Sequence, residues 1–129
     1  GDHTGTFRGQ NLSFVAGSEA LAYYESDSFL KSVQEKGRYM EDRLNNMVAN
    51  HKKLDFEVRG RGMMQGLDTH SPAVAKKIMA AAAKHRVIVG ACGTDGRVIK
   101  VCPPLTIEQE TLERGMDLLE AAVNEGVTQ

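Results

Sequence analysis

The 129-residue sequence predicts an α+β domain in which a small, mostly antiparallel sheet is covered on one face by helices. Three observations predict it. Three stretches repeat apolar residues at helical spacing and a fourth is apolar throughout. Between them lie two β-type stretches, each interrupted by glycines. No repeat, low-complexity tract or linker divides a chain of this length, so one domain is expected.

The first element, Leu12 to about Tyr24, is apolar or small and lacks proline, which reads as a buried helix with Asn11 as its cap. Gly17 inside it costs roughly 1 kcal/mol relative to Ala. A second helix follows the short oxygen-bearing side chains of Ser26, Asp27 and Ser28. Phe29, Val33, Met40, Leu44 and Met47 then recur on one side, with Lys31, Glu35, Glu41 and Asn45 outward, over Asp27 to about Asn50. From Phe56 to Asp68 the period changes, and Gly60, Gly62 and Gly66 break the run into two short strands about a bend. Ser71-Pro72 is an N-cap followed by proline in the first turn. Val74, Ile78, Met79 and Ala82 supply the packing face of a helix that runs to Lys84. Val87 to Val89 and Val98 to Cys102 read as a hairpin about the turn Gly93-Thr94-Asp95-Gly96. Pro103-Pro104 ends the second strand because proline has no N–H for the ladder. Thr106 to Gln109 matches a capping box before a last helix striped by Leu112, Met116, Leu119 and Val123.

Sixteen Lys and Arg against 17 Asp and Glu leave a net charge of −1 with the signs interspersed, which excludes a nucleic-acid surface. No apolar run approaches the roughly 20 residues that span a bilayer, so no membrane partner is expected. Two cysteines are too few for a disulfide framework or a four-ligand zinc site, and a reducing cytoplasm is the default. Cys92 and Cys102 flank the hairpin, where facing each other is one alternative, and reduced, buried thiols are the expectation. The chain opens on Gly1-Asp2-His3, without Met and directly in a loop, as a piece of a longer or processed sequence would.

His3-Thr4-Gly5-Thr6-Phe7-Arg8-Gly9 sets hydroxyls, flexible glycines and an arginine before a helix start, a combination that suits a phosphate. It is neither a Walker loop nor GxGxxG, and an ordinary polar loop competes with that reading. Arg59-Gly60-Arg61-Gly62 offers guanidinium forks for a carboxylate, although surface arginines at a glycine-bent strand are the favoured reading. His51, His70 and His85 show no ligand spacing and are expected to be solvated. No nucleophile set, paired carboxylate or metal cluster emerges. The residues by themselves reach an α+β domain with a candidate anion loop.

The motifs G-D-H-T-G-T-F-R-G-Q-N-L, V-R-G-R-G-M-M-Q-G and V-I-K-V-C-P-P-L-T-I-E, in this order, resemble the C-terminal part of class III (ornithine and 4-aminobutyrate type) aminotransferases, pyridoxal 5'-phosphate enzymes of fold type I. The resemblance implies that residues 12–129 are the C-terminal small domain with its leading helix, and that residues 1–11 are a cofactor-phosphate loop at the edge of the large domain. T-F-R-G, R-G-R-G-M-M-Q-G and C-P-P-L-T-I are most similar to members that move an amino group from L-glutamate to aspartate 4-semialdehyde, giving L-2,4-diaminobutyrate and 2-oxoglutarate. It also implies that the Schiff-base lysine lies upstream of Gly1, so that this chain carries no catalytic residue and is inactive alone. Thr6 matches the family threonine that reaches the cofactor phosphate of the neighbouring subunit, which makes an identical subunit the expected partner. Lys100 stands where many members hold the substrate α-carboxylate with arginine; lysine keeps the charge without the bidentate fork. Arg8, where many relatives have glycine, is expected to share that task. A 4-aminobutyrate or ornithine type enzyme and a stand-alone α+β binding module are the competing expectations.

Overall fold

The structure is a computed structural model that describes residues 4–128, so His3 of the candidate loop lies outside the described residues. The described chain forms α1 (Asn11–Ala22), a short 3₁₀ turn (Tyr23–Glu25), α2 (Asp27–Asn50), β1 (Glu57–Arg61), β2 (Met64–Asp68), α3 (Pro72–Lys84), β3 (Gly90–Cys92), β4 (Val98–Val101) and α4 (Gln109–Thr128). It divides into two compact units, up to Ser32 and from Val33 onward. No helix among the described residues is long and apolar enough to cross a membrane.

In the first unit, Gln10 rather than Asn11 holds the N-cap position of α1. Its carbonyl accepts from the Ser13 and Phe14 amides at 3.1 and 3.3 Å, and it provides no side-chain cap. The expected burial of this helix is not met within the chain: Leu12, Phe14, Val15 and Leu21 are all exposed. At the start of α2, Ser26 Oγ accepts from the Ser28 amide at 3.3 Å, the capping that its sequence predicts.

In the second unit the four strands run antiparallel in the order β1-β2-β4-β3. Side chains alternate across a strand, so the cross-strand row Val58, Leu67, Ile99 and Ala91 belongs to one face. Leu67 and Ile99 are buried there in one core with Met40, Leu44 and Met47 of α2, Ile78 of α3, and Leu112, Met116, Leu119 and Val123 of α4. Burying each such side chain contributes roughly 1.5–3 kcal/mol. The helix layer thus covers one face of the sheet and leaves the other for the residues of alternate parity.

Local contacts fix how these layers meet. Gln65, buried in β2, donates from Nε2 to the carbonyls of Gly37 (2.8 Å) and Gly62 (2.7 Å), tying α2 to the β1–β2 turn. Gly60 has φ +116 and a side chain there would overlap the Met64 carbonyl, so only glycine fits the bend. Arg43 of α2 reaches Asp117 (2.7 Å) and Glu120 (3.0 Å) of α4 and donates to Tyr39 Oη (2.7 Å). Burial alone would lower the pKa of Arg43, but hydrogen bonds to Asp117, Tyr39 and Glu120 outweigh it and raise the value.

Three expectations are corrected. Val87 to Val89 are not a strand: α3 ends with the Arg86 amide on the Ala83 carbonyl and the Val87 amide on the Ala82 carbonyl, and the ladder starts only at Gly90. Cys92 pairs with Val98, so Cys102, beyond the end of β4, does not face it; both thiols are free, but Cys92 is only half-buried and Cys102 is exposed, against the expected burial. Thr106 is not a cap. The Ile107 amide closes a turn on the Pro104 carbonyl at 3.0 Å, which delays α4 to Gln109.

Candidate functional site

In the first unit, residues Gly5 to Gln10 form two successive turns, with the Arg8 amide on the Gly5 carbonyl at 3.1 Å and the Gln10 amide on the Phe7 carbonyl at 3.3 Å. Gly9, with φ +74, lets the second turn run into α1. Thr6 and Arg8 are both exposed on this loop. An accessible hydroxyl beside a helix start that has no side-chain cap is chemistry that fits a phosphate.

In the second unit, the register defines the face of the sheet opposite the helices. One row is Glu57, Asp68, Val98 and Cys92; the next is Arg59, Gly66, Lys100 and Gly90. Lys100 therefore stands between two glycines and is exposed. Its Cε lies 3.4 Å from where a Cβ on Gly90 would be, so its stem lies along bare backbone. Among the described residues it has no ion-pair partner.

The two arginines of the glycine bend have different environments. Arg59 Nε contacts Asp68 Oδ2 at 2.9 Å and its Nη2 contacts Glu57 Oε2 at 2.8 Å, so its guanidinium is engaged by carboxylates of the chain itself. Arg61 is exposed without an ion-pair partner among the described residues, as a surface arginine at the glycine bend would be. Asp68 is 1% exposed and is held in addition by Arg97 Nε at 3.1 Å and by the His70 amide at 2.9 Å.

The histidines are not simply solvated. His51 Nδ1 donates to the Met47 carbonyl at 2.8 Å and His85 Nε2 is 3.1 Å from Glu125. His70, at φ +49, points Nδ1 at the Asp55 carbonyl at 2.6 Å; a carbonyl only accepts, so that nitrogen carries the hydrogen. One ligand atom each of Glu57, Asp68 and His70 lies within 4.8 Å of the others, a grouping that sequence spacing did not reveal because strand register creates it. The Arg59 guanidinium already occupies the cationic position between the two carboxylates, so the set reads as an ion-pair network.

Asp68 has a testable signature. Burial alone would raise its pKa, but the His70 amide and the charges of Arg97, His70 and Arg59 lower it below the ordinary carboxylate value. The unfolded chain therefore binds this proton more readily, so the stabilisation is complete above about pH 4 and is lost as pH falls through the folded-state value. Asp68→Asn is expected to cost about 1–3 kcal/mol near pH 6, less than a fully buried pair because Arg59 and Arg97 are partly exposed. In urea unfolding the difference from wild type should shrink below about pH 4. A difference that stays constant between pH 6 and 3 would count against this assignment.

The sequence profile described as Aminotransferase class-III matches residues 1–123, and the chain belongs to that family. It is similar to the diaminobutyrate--2-oxoglutarate transaminase of Bordetella parapertussis, 42% identical over 131 residues that cover 100% of this chain and 30% of that protein. The enzyme of the same name from Marinococcus halophilus is 39% identical over 125 residues, 97% of this chain and 29% of its own length. Among solved structures, an Arthrobacter phospholyase in complex with phosphoethanolamine superposes with a TM-score of 0.75 at 25% identity, covering 84% of this chain and 28% of that one. The chain thus spans about 30% of the length of these curated relatives.

Proposed function

We propose that this chain is the C-terminal part of a longer pyridoxal 5'-phosphate-dependent transaminase that moves the amino group of L-glutamate to aspartate 4-semialdehyde, giving L-2,4-diaminobutyrate and 2-oxoglutarate. What carries the reading is the 42% identity to a diaminobutyrate--2-oxoglutarate transaminase, which extends over the whole chain. The exposure of Thr6, Arg8 and Lys100 is compatible with the roles assigned to them. Residues 1–11 supply the loop at the large-domain edge, where the Thr6 hydroxyl and the open start of α1 would hold the cofactor phosphate of an identical neighbouring subunit. Residues 12–129 supply the small domain, whose Lys100 binds the substrate α-carboxylate, with Arg8 sharing that task. When bound, the cofactor supplies the electron sink for loss of the amino acid's α-proton. The residues of this chain bind and orient; the lysine that handles the proton lies outside it, so the chain alone is inactive.

The test is an assay of the purified full-length protein with glutamate and aspartate 4-semialdehyde. The expected product is 2,4-diaminobutyrate, with none from the 129-residue chain by itself. Preferential turnover of ornithine or 4-aminobutyrate with 2-oxoglutarate would instead place the protein in another branch of the family. Thr6→Ala removes one hydrogen bond to a charged group, about 1.5 kcal/mol, and should weaken cofactor retention roughly tenfold. Unchanged cofactor affinity would remove Thr6 from the site.

A further inference from the structure

One cation on the outer face of the sheet has no task in the reaction as proposed. Arg61, at the end of β1, pairs with Met64 of β2, and alternation sets both on the face that carries Gly66 and Lys100. The bend that holds Arg61 is fixed from behind. There α2 comes so close that a Cβ on Gly37 would fall 2.9 Å from the Gly62 carbonyl carbon, and Gln65 Nε2 ties the Gly37 and Gly62 carbonyls together at 2.8 and 2.7 Å. In front, Arg61 lines a hollow of about 630 Å³ together with Met64, Cys102, Pro103 and Leu105. No acidic residue lines it. Arg59, two positions earlier on the same face, is engaged by Glu57 and Asp68, whereas Arg61 has no ion-pair partner among the described residues. An uncompensated guanidinium on a fixed backbone, beside apolar walls, suits a carboxylate carried on methylene groups.

We propose that Arg61 binds the carboxylate at the far end of both substrates, the γ-carboxylate of glutamate and the α-carboxylate of aspartate 4-semialdehyde. The two carbon skeletons ask for one such place. In glutamate the far carboxyl carbon stands three bonds from the carbon that gives up the amino group; in the semialdehyde the carboxyl carbon stands three bonds from the aldehyde carbon that receives it. With the reacting carbons superposed the two carboxylates coincide, so a single cation serves both halves of the reaction. Lys100 is left for the second carboxylate of glutamate, the one on the reacting carbon itself, which the semialdehyde lacks. Two strand separations and a two-residue offset put the Cα atoms of Arg61 and Lys100 about 12 Å apart, room for a five-carbon dicarboxylate between two long side chains. The proposal rests on the reaction assigned above and on the place of Lys100 in it.

Glutarate, which has both carboxylates of glutamate and no amino group, is the probe. Calorimetry on the full-length enzyme carrying its cofactor should show the dissociation constant of glutarate rising about ten- to a hundredfold in Arg61→Met, the loss of one hydrogen-bonded charge. Arg61→Lys, which keeps the charge without the fork, should recover part of that loss. In turnover Arg61→Met should raise KM for glutamate and for the semialdehyde alike, whereas Lys100→Met should raise it for glutamate alone. The melting temperature should not change, since Arg61 is exposed. Glutarate that binds Arg61→Met within about twofold of wild type would overturn the proposal. So would a KM effect confined to one of the two substrates, or a lowered melting temperature with unchanged glutarate binding, which would give Arg61 to an ion pair elsewhere in the full-length protein. Glutarate binding needs no turnover, which separates the two ideas. A protein that makes no diaminobutyrate yet loses glutarate in Arg61→Met sinks only the assigned reaction, and an active enzyme with unchanged glutarate binding sinks only the subsite.

Discussion

Lys100→Met in the full-length enzyme is expected to raise KM for glutamate about ten- to a hundredfold, equivalent to the roughly 1.5–3 kcal/mol of one hydrogen bond to a charged group. Turnover at saturating glutamate should change less, because a contact made equally in the ground and transition states affects mainly KM. Cofactor retention should not change. The expectation follows from where Lys100 stands. The glycines on both sides of it, Gly66 and Gly90, place no side chain over its stem, and among the described residues no carboxylate neutralises it, so its charge is available to a substrate. Lys100→Arg tests the same point from the other side: it restores the bidentate fork and should bind glutamate at least as well as lysine does, provided the longer side chain is accommodated. Arg8→Met, measured in parallel, apportions the carboxylate between the two cations. The competing account is a solvated strand residue, and KM within about twofold of wild type for glutamate and semialdehyde, near 0.4 kcal/mol, would favour it.

How far the sequence alone reaches depends on whether the determinant is local. The bounds of α2 and α3 were legible because Ser26 and Ser71 cap them from neighbouring positions: Ser71 Oγ accepts from the Val74 amide at 3.4 Å and proline follows in the first turn. The stripe of α4 was legible because Leu112, Met116, Leu119 and Val123 share one face whatever the helix packs on. The start of α4 was not, because a turn closed by Pro104 competes with the capping box at Thr106. The network around Asp68 was not legible either. It needs the Glu57–Asp68 register, a left-handed His70 and Arg97 from the next hairpin, which spacing along the chain does not reveal. The loop of Thr6 and Arg8 was readable as a candidate anion site from its own residues, but the particular roles proposed for them, and any role for Lys100, came only through the family resemblance, since an exposed threonine or lysine looks alike in a site and on a plain surface. The exposure of Lys100, in contrast, follows from its alternation with buried Ile99.

Two glycines in α4 should respond to the same substitution with opposite signs. Gly126 lies where α4 crosses α3, and a Cβ there would fall 2.7 Å from Ile78 Cα, 2.8 Å from its amide nitrogen and 2.8 Å from its Cγ1. Two of those atoms are backbone, so no rotamer change relieves the overlap and the helices must separate. Separation would open the core around Ile78, Leu119 and Val123, all at most 2% exposed. Gly126→Ala is therefore expected to destabilise by about 1–3 kcal/mol, the usual cost of overpacking, which the gain of up to about 1 kcal/mol from removing a helical glycine only partly offsets. Gly115, in the same helix, would place a Cβ with nothing within 4 Å of it. Gly115→Ala is expected to stabilise by about 0.5–1 kcal/mol through helix propensity alone. Urea unfolding of the two variants beside wild type reads both signs in one experiment. If Gly126→Ala were to stabilise as much as Gly115→Ala, the close approach of α3 and α4 at Ile78 would not exist in solution, and the packing of the helix layer on the sheet would have to be redrawn.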